Sequence, residues 1–276
     1  MRIGKPLLSH LNATIVRNAY GRRIRIPMIS GMKVGVTNEP WMFDIIERLL
    51  PQIEGGFVDV GANLGQTLIK FRSADASRPY VGIEPNAFCL HYLAELNLAN
   101  RFEARFLPVG LSDQTGLLSF SFFSENPADP MATTVDGFRQ DRKISSEKLI
   151  PVFPLDEIIG ELPEKVGIVK IDVEGGELEA LTGMEGFIRL QSPLILIEIL
   201  PVYNDEHKLR YERQLKIEAL FRDWGYVINR VCKDNANRFD RLERVSEIGV
   251  HGSLKGCDYV VCPSDRVSLL DRIGAK

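Results

Sequence analysis

One segment constrains this chain most: Phe57-Val58-Asp59-Val60-Gly61-Ala62-Asn63-Leu64-Gly65, an apolar run with an embedded acid that then turns through two glycines. Glycine lets the backbone pass close to a ligand at the carboxyl end of a strand, where open α/β sheets bind nucleotides. A second run, Tyr80-Val81-Gly82-Ile83-Glu84, ends on a carboxylate. It lies about 20 residues on, the spacing at which an acid meets a ribose diol. A third, Ile168-Val169-Lys170-Ile171-Asp172, also finishes on an acid. Three strands that deliver carboxylates to one sheet edge predict a nucleoside pocket.

Around these runs the periodicity alternates between strand and helix. Short strands are expected at 12–17 and 22–29, around the turn Asn18-Ala19-Tyr20-Gly21, then a helix from Pro40 to about Leu50. Strands at 57–60, 80–84 and 104–111 alternate with helices at 65–73 and 87–99. A strand at 117–123 leads into a loop-rich stretch from Ser124 to Lys148, a length that suggests a lid or binding loop. Strand 150–153, a short helix at 155–159, strand 168–172, helix 176–190, strand 194–199, helix 205–224 and strands 226–232 and 258–262 follow. The charged segment 233–256 reads as an excursion. This alternation predicts an α/β fold with a mainly parallel sheet, right-handed helical crossovers on both faces and an antiparallel C-terminal strand. Residues 1–50 are expected to form a hairpin-and-helix extension, and 51–276 a single globular unit.

Composition narrows the class. Apolar residues make up 45% and charged residues 26%, as in an ordinary soluble protein. A net charge of −3 argues against a nucleic-acid surface. Cys89, Cys232, Cys257 and Cys262 show no C-x-x-C spacing and read as reduced thiols. No apolar stretch reaches the ~20 residues that cross a bilayer. Met1-Arg2-Ile3-Gly4-Lys5-Pro6 lacks a following apolar core, so a cytoplasmic location is expected. Asn12-Ala13-Thr14 is then a chance match to a glycosylation acceptor.

The turn chemistry selects the ligand. A dinucleotide turn wants G-x-G-x-x-G, whereas Gly61-Ala62-Asn63-Leu64-Gly65-Gln66 lacks both the G-x-G pair and the third glycine. Asp59 just before the turn repels pyrophosphate but accepts hydrogen bonds from an ammonium group. S-adenosylmethionine carries an ammonium, a sulfonium and no phosphate, so the acids favour it.

Those blocks, with Gly82-Ile83-Glu84-Pro85-Asn86 and Lys170-Ile171-Asp172-Val173-Glu174-Gly175-Gly176-Glu177, resemble the FkbM family of class I methyltransferases. Smaller echoes are Gly110-Leu111-Ser112-Asp113, Leu155-Asp156-Glu157 and Leu194-Ile195-Leu196-Ile197-Glu198; the likeness covers roughly 55–200. It implies a Rossmann-like fold and methyl transfer from S-adenosylmethionine to a hydroxyl of a sugar, glycan or secondary metabolite. Carried over, Asp59, Gly61, Ala62, Asn63, Gly65 and Gln66 would hold the methionine end and ribose. Glu84 would take the ribose hydroxyls, Pro85 and Asn86 the adenine edge, and Leu111 and Ser112 further adenine contacts. Asp172 would face the methionine group. Glu174 and Glu198 would border the acceptor, one of them taking the hydroxyl proton, with Asp172 next in line and His207 an outside candidate.

Plainer readings stand beside these. Asp172 and Glu174 suit a helix N-terminus, and Glu198 a solvated strand end. His207 and His91 read as surface or structural residues. The crowded acids could bind a divalent cation, but sequence fixes no ligand set and a metal-free site is expected. A degenerate fold that binds a nucleoside as an assembly module is the non-enzymatic alternative. A homodimer is compatible with the chain, and no motif identifies the acceptor.

Overall fold

The computed structural model describes residues 13–139, 141–204 and 206–274. The N-terminal hexapeptide and Asn12 lie outside them. The chain enters as a hairpin, β1 (Ala13–Ala19) and β2 (Arg22–Met28), paired in full register around Tyr20-Gly21. Both turn residues have positive φ, 50° and 72°, matching the twist of the flanking strands. Helix α1 (Pro40–Leu49) starts on the proline and buries Trp41, Ile45, Ile46 and Leu49.

The central sheet and its crossovers follow: β3 (Gly56–Val60), α2 (Gln66–Ala74), β4 (Tyr80–Ile83), α3 (Ala87–Asn100), β5 (Arg105–Leu107), β6 (Gly110–Leu111), β7 (Gly116–Phe122), β8 (Ser146–Phe153), β9 (Val166–Ile171), α4 (Glu177–Thr182), α5 (Glu185–Gln191), β10 (Leu194–Glu198), α6 (Lys208–Asp223), β11 (Tyr226–Lys233), β12 (Phe239–Val245), β13 (Asp258–Pro263) and α7 (Val267–Gly274). The eight-stranded sheet has the order β12-β11-β13-β10-β9-β3-β4-β5. From β10 to β5 its strands run parallel, and β13 is antiparallel, wedged between β10 and β11. Chain order reverses between β3 and β9, so their carboxyl ends open the crevice where such sheets bind ligands. This is the Rossmann-like fold of class I methyltransferases.

Alternation along each strand builds two cores. Phe57, Ile168, Leu194 and Leu196 face one side, with the hairpin, α1, α2, α3 and α7. Val58, Val60, Val169, Ile171, Ile195 and Ile197 face the other, under α4, α5 and α6. A strand with both faces buried reads as a continuous apolar run, which is why these segments stand out in the sequence.

Several expected elements differ. The strand at 104–111 is two, β5 on the large sheet and β6 on a separate three-stranded sheet with β8 and β7, parted by Pro108-Val109. Strand β8 begins at Ser146, four residues before the expected start. The short helix at 155–159 is a pair of 3-10 turns, Leu155–Glu157 and Ile159–Glu161. The helix at 176–190 breaks into α4 and α5 at Gly183, where a Cβ would lie 2.0 Å from the Ser112 carbonyl oxygen. Asp156 then caps the new start by accepting from the Gly186 and Phe187 amides at 2.8 and 2.7 Å. Helix α6 begins at Lys208 rather than 205. The excursion at 233–256 contains β12, an edge strand whose charged residues face outward and mask its apolar period. Helix α7 was not expected.

Candidate active site

Strand β3 delivers Gly61 to the sheet edge. Its φ is +80°, and a Cβ there would lie 1.9 Å from the Asp172 carbonyl oxygen. The Gly61 and Ala62 amides both donate to Ile83 O, at 3.0 and 3.2 Å. The glycine is thus required by the close approach of three strand ends. Gly61→Ala combines a left-handed backbone penalty of ~1–2 kcal/mol with overpacking of ~1–3 kcal/mol. A loss of roughly 2–5 kcal/mol on chemical denaturation is expected, and a wild-type midpoint would refute the close-approach account.

These strand ends open a cavity of about 330 Å³. Gly61, Ala62, Asn63, Gln66, Glu84, Pro85, Asn86, Leu111, Asp172, Glu174 and Glu198 all line it. At one end the Glu84 carboxylate accepts from the Asn63 and Asn86 amides, both at 2.8 Å. Burial pushes Glu84 up to about 7, against the pull of those two amides. Asn86 also caps α3 through Phe88 N and donates to Pro127 O at 2.8 Å, tying the loop after β7 to the site. Val109, Phe120, Pro130, Ala132 and Ile150 supply an apolar wall beside Pro85 and Leu111.

At the other end three carboxylates converge. Asp172 follows β9, Glu198 ends β10, and Glu174 projects from a residue with φ 56°, an uncommon backbone state that recurs at functional sites. Their oxygens lie within 4.8 Å of one another. Burial and the neighbouring Asp172 raise Glu174 to about 8, although the Arg139 guanidinium paired with it opposes the shift. Burial, with Asp172, Asp258 and Glu174 close by, raises Glu198 to about 10. Cys257 Sγ donates to Glu198 Oε1 at 3.2 Å. Oxygen ligands so spaced suit a hard divalent cation as well as a sulfonium or an acceptor hydroxyl.

Three expected site residues do not line the cavity. Asp59 is fully buried behind it, where it accepts from the Tyr80 hydroxyl and pairs with Lys170 Nζ at 3.2 Å. Lys170 thus takes up the carboxylate that the sequence offers to a ligand ammonium. Gly65 (φ 89°) is the N-cap of α2 and packs on Leu93 and Leu96. Ser112 is buried beside Gly183 and borders a separate polar groove with Asp113, Thr134 and Glu179. His207 Nδ1 lies 2.8 Å from Asn204 Oδ1, outside the cavity, and His91 is exposed.

Sequence reasoning missed other lining groups. Asn38 and Glu39, just before α1, reach the cavity, and Glu39 pairs with the buried Lys70 at 3.2 Å. Lys170 lines it too, donating to Gly61 O at 2.9 Å and pairing with Asp172 at 3.4 Å. Asp129 faces it while holding the loop through the Phe123 and Met131 amides. Lys170 stood inside a motif without a role and Glu39 carries no sequence signal, whereas Asp129 falls in the 124–148 stretch expected as a lid or binding loop.

The cradle suits an adenosyl sulfonium. Glu84 is oriented by backbone amides with lone pairs left for a diol, and the crowded acids favour a cation over pyrophosphate. The sequence model described as "Methyltransferase FkbM domain" matches residues 59–228. The chain is 32% identical over 203 residues to the hexuronic acid methyltransferase AglP of Haloferax volcanii, covering 69% of this chain and 77% of that one. Among solved structures it is similar to methyltransferase FkbM of Methylobacillus flagellatus KT, at 19% identity and a TM-score of 0.43. That match covers 76% of this chain and 43% of the other. Aeropyrum pernix fibrillarin, solved with bound S-adenosyl-L-methionine, matches at 13% identity and TM-score 0.44, covering 91% and 100%. No described helix is long and apolar enough to cross a membrane.

Proposed function

This chain belongs to the FkbM family of methyltransferases, and from that membership we propose that it methylates a sugar hydroxyl with S-adenosylmethionine as donor. The observation that carries the reading is one cavity with Glu84 held by two amides at one end and Asp172, Glu174 and Glu198 at the other. In this reading Glu84 takes the ribose diol. Asn63, Gln66 and Asn86 border the nucleoside, and Leu111 with Phe120 flanks the base. Asp172, kept by Lys170 at the mouth of β9, faces the methionine group. When bound, the donor supplies an electrophilic methyl group on sulfur. The residues fix the acceptor oxygen in line and exclude water, an alignment worth about 7–11 kcal/mol of barrier.

Glu174 is the base in this proposal. An alcohol gains from a carboxylate that takes its proton as the new bond forms. Glu174 has the Arg139 guanidinium to favour its ionised form, whereas Glu198, pushed up by burial and the acids around it, pairs with no cation among the described residues and stays protonated as a hydrogen-bond donor. The relative's hexuronic acid supports a sugar as the acceptor class.

Radiolabelled methyl transfer to simple glycosides, with the product identified by NMR as a sugar methyl ether, tests the function. Glu84→Ala should raise the dissociation constant of S-adenosylhomocysteine at least 30-fold in calorimetry, because both hydroxyls lose their acceptor. An unchanged constant would remove Glu84 from the nucleoside site.

A further inference from the structure

Two guanidiniums act electrostatically around Glu174. Arg139, on the segment between β7 and β8, pairs with Glu174 through Nη2 and donates from Nε to Met131 O at 3.2 Å. Its side chain is only 14% exposed. Arg210, in the first turn of α6, donates from Nη2 to Phe138 O at 3.1 Å and lies 4.7 Å over the Phe138 ring. The two are close enough for Arg139 to add to the burial that lowers the Arg210 pKa, while Glu174 pulls it up.

Glu174 pairs with Arg139 alone, and Arg210 has no ion-pair partner of its own among the described residues. The Arg210 Nε is buried with no hydrogen-bond partner, and neither Nη1 has one among the described residues. Adjacent like charges repel, and the one buried unsatisfied donor, Arg210 Nε, is costly, two penalties that a bridging anion would relieve. The first turn of α6 carries no acid of its own, so the positive end of the helix dipole adds to the pull on an anion there. A guanidinium fork suits a planar carboxylate, which it binds in bidentate fashion.

We propose that Arg139 and Arg210 form a carboxylate subsite, and that the acceptor is a sugar acid whose carboxylate bridges them while a ring hydroxyl meets Glu174. This rests on the sugar-hydroxyl reading above. The carboxylate shares Arg139 with Glu174, which weakens the hold on Glu174 and leaves it more basic when the acceptor arrives. A neutral sugar leaves the guanidinium donors unpaired, and a site built for a polar partner rejects an analogue that lacks it.

The test compares p-nitrophenyl β-D-glucuronide, p-nitrophenyl β-D-glucoside and glucose 6-phosphate, each with the β-D-galacto counterpart, as acceptors for the full chain. The uronides should exceed the glucoside in kcat/KM by at least 100-fold. Arg139→Gln and Arg210→Gln should each cut that preference at least tenfold, mainly through KM for the uronide. Arg210→Lys should recover part of it. S-adenosylhomocysteine affinity by calorimetry should stay within threefold in every variant, which establishes that the nucleoside site is folded. Equal or better turnover of the neutral glycosides overturns the subsite and leaves sugar methylation standing. Faster turnover of the phosphate overturns the carboxylate assignment. Product from none of these sugars overturns the sugar reading, and the subsite with it.

Discussion

Glu174→Gln is expected to lower kcat by about 10²- to 10⁴-fold, the usual worth of a general base, while S-adenosylhomocysteine binding stays within a few-fold of wild type. Glutamine keeps the shape of the side chain and can still accept from Arg139, so the loss isolates proton transfer. The pH profile carries more information than the rate. Glu174 is raised from 4.5 to about 8 by burial and by Asp172, so wild-type kcat/KM for the acceptor should climb as pH rises toward 8 and then level off. That limb should vanish in Glu174→Gln. Glu198→Gln mimics the protonated acid that a pKa near 10 implies; it should cost less than tenfold and keep the limb. Stability runs the opposite way. A carboxyl whose folded pKa is raised stabilises the fold fully below about 4.5, and that contribution is lost as pH climbs through about 8. The wild-type melting temperature should therefore fall more steeply between about pH 5 and 8 than that of Glu174→Gln. Near-normal turnover in Glu174→Gln would end its candidacy as the base.

The acids that end β9 and β10, and Glu84 just beyond β4, were legible because each closes an apolar run buried on both faces, a pattern that needs no tertiary information. The crevice followed from strand alternation, which gives parallel order and hence a common carboxyl edge. What the sequence hid is pairing between distant positions. Lys170 meets Asp59 across 111 residues of chain and Arg139 meets Glu174 across 35; no local pattern announces either contact. For that reason the sequence offers Asp59 as a ligand group and does not show the lysine on the next strand that pairs with it. The break between α4 and α5 is likewise tertiary, since Gly183 is needed only because the Ser112 carbonyl lies against it. Strand β12 went unseen because its charges serve an exposed edge rather than a core.

The second large effect concerns that hidden lysine. On neighbouring strands Lys170 stands opposite Asp59 in register. Its Nζ pairs with Asp59 and Asp172 and donates to Gly61 O. Burial works against the charge on Lys170, but the Asp172 and Asp59 carboxylates outweigh it and raise its pKa. Burial pushes the Asp59 carboxyl up, and Lys170 opposes that shift. Lys170→Met leaves a fully buried carboxylate without its cation, a change that costs about 3–5 kcal/mol. For a chain of this size the melting temperature should drop by roughly 10 °C at neutral pH. Lowering the pH should recover part of the loss, since protonating Asp59 removes the unpaired charge. Lys170→Met combined with Asp59→Asn should recover at least half of it at neutral pH, because the asparagine can still accept from Tyr80 and carries no charge. The single variant should also weaken S-adenosylhomocysteine binding, as Asp172 and the Gly61 carbonyl lose the group that fixes them. If the double variant melts no higher than Lys170→Met alone, then Lys170 acts through packing rather than charge, and the ion pair is not what holds β3 against β9 at the floor of the cavity.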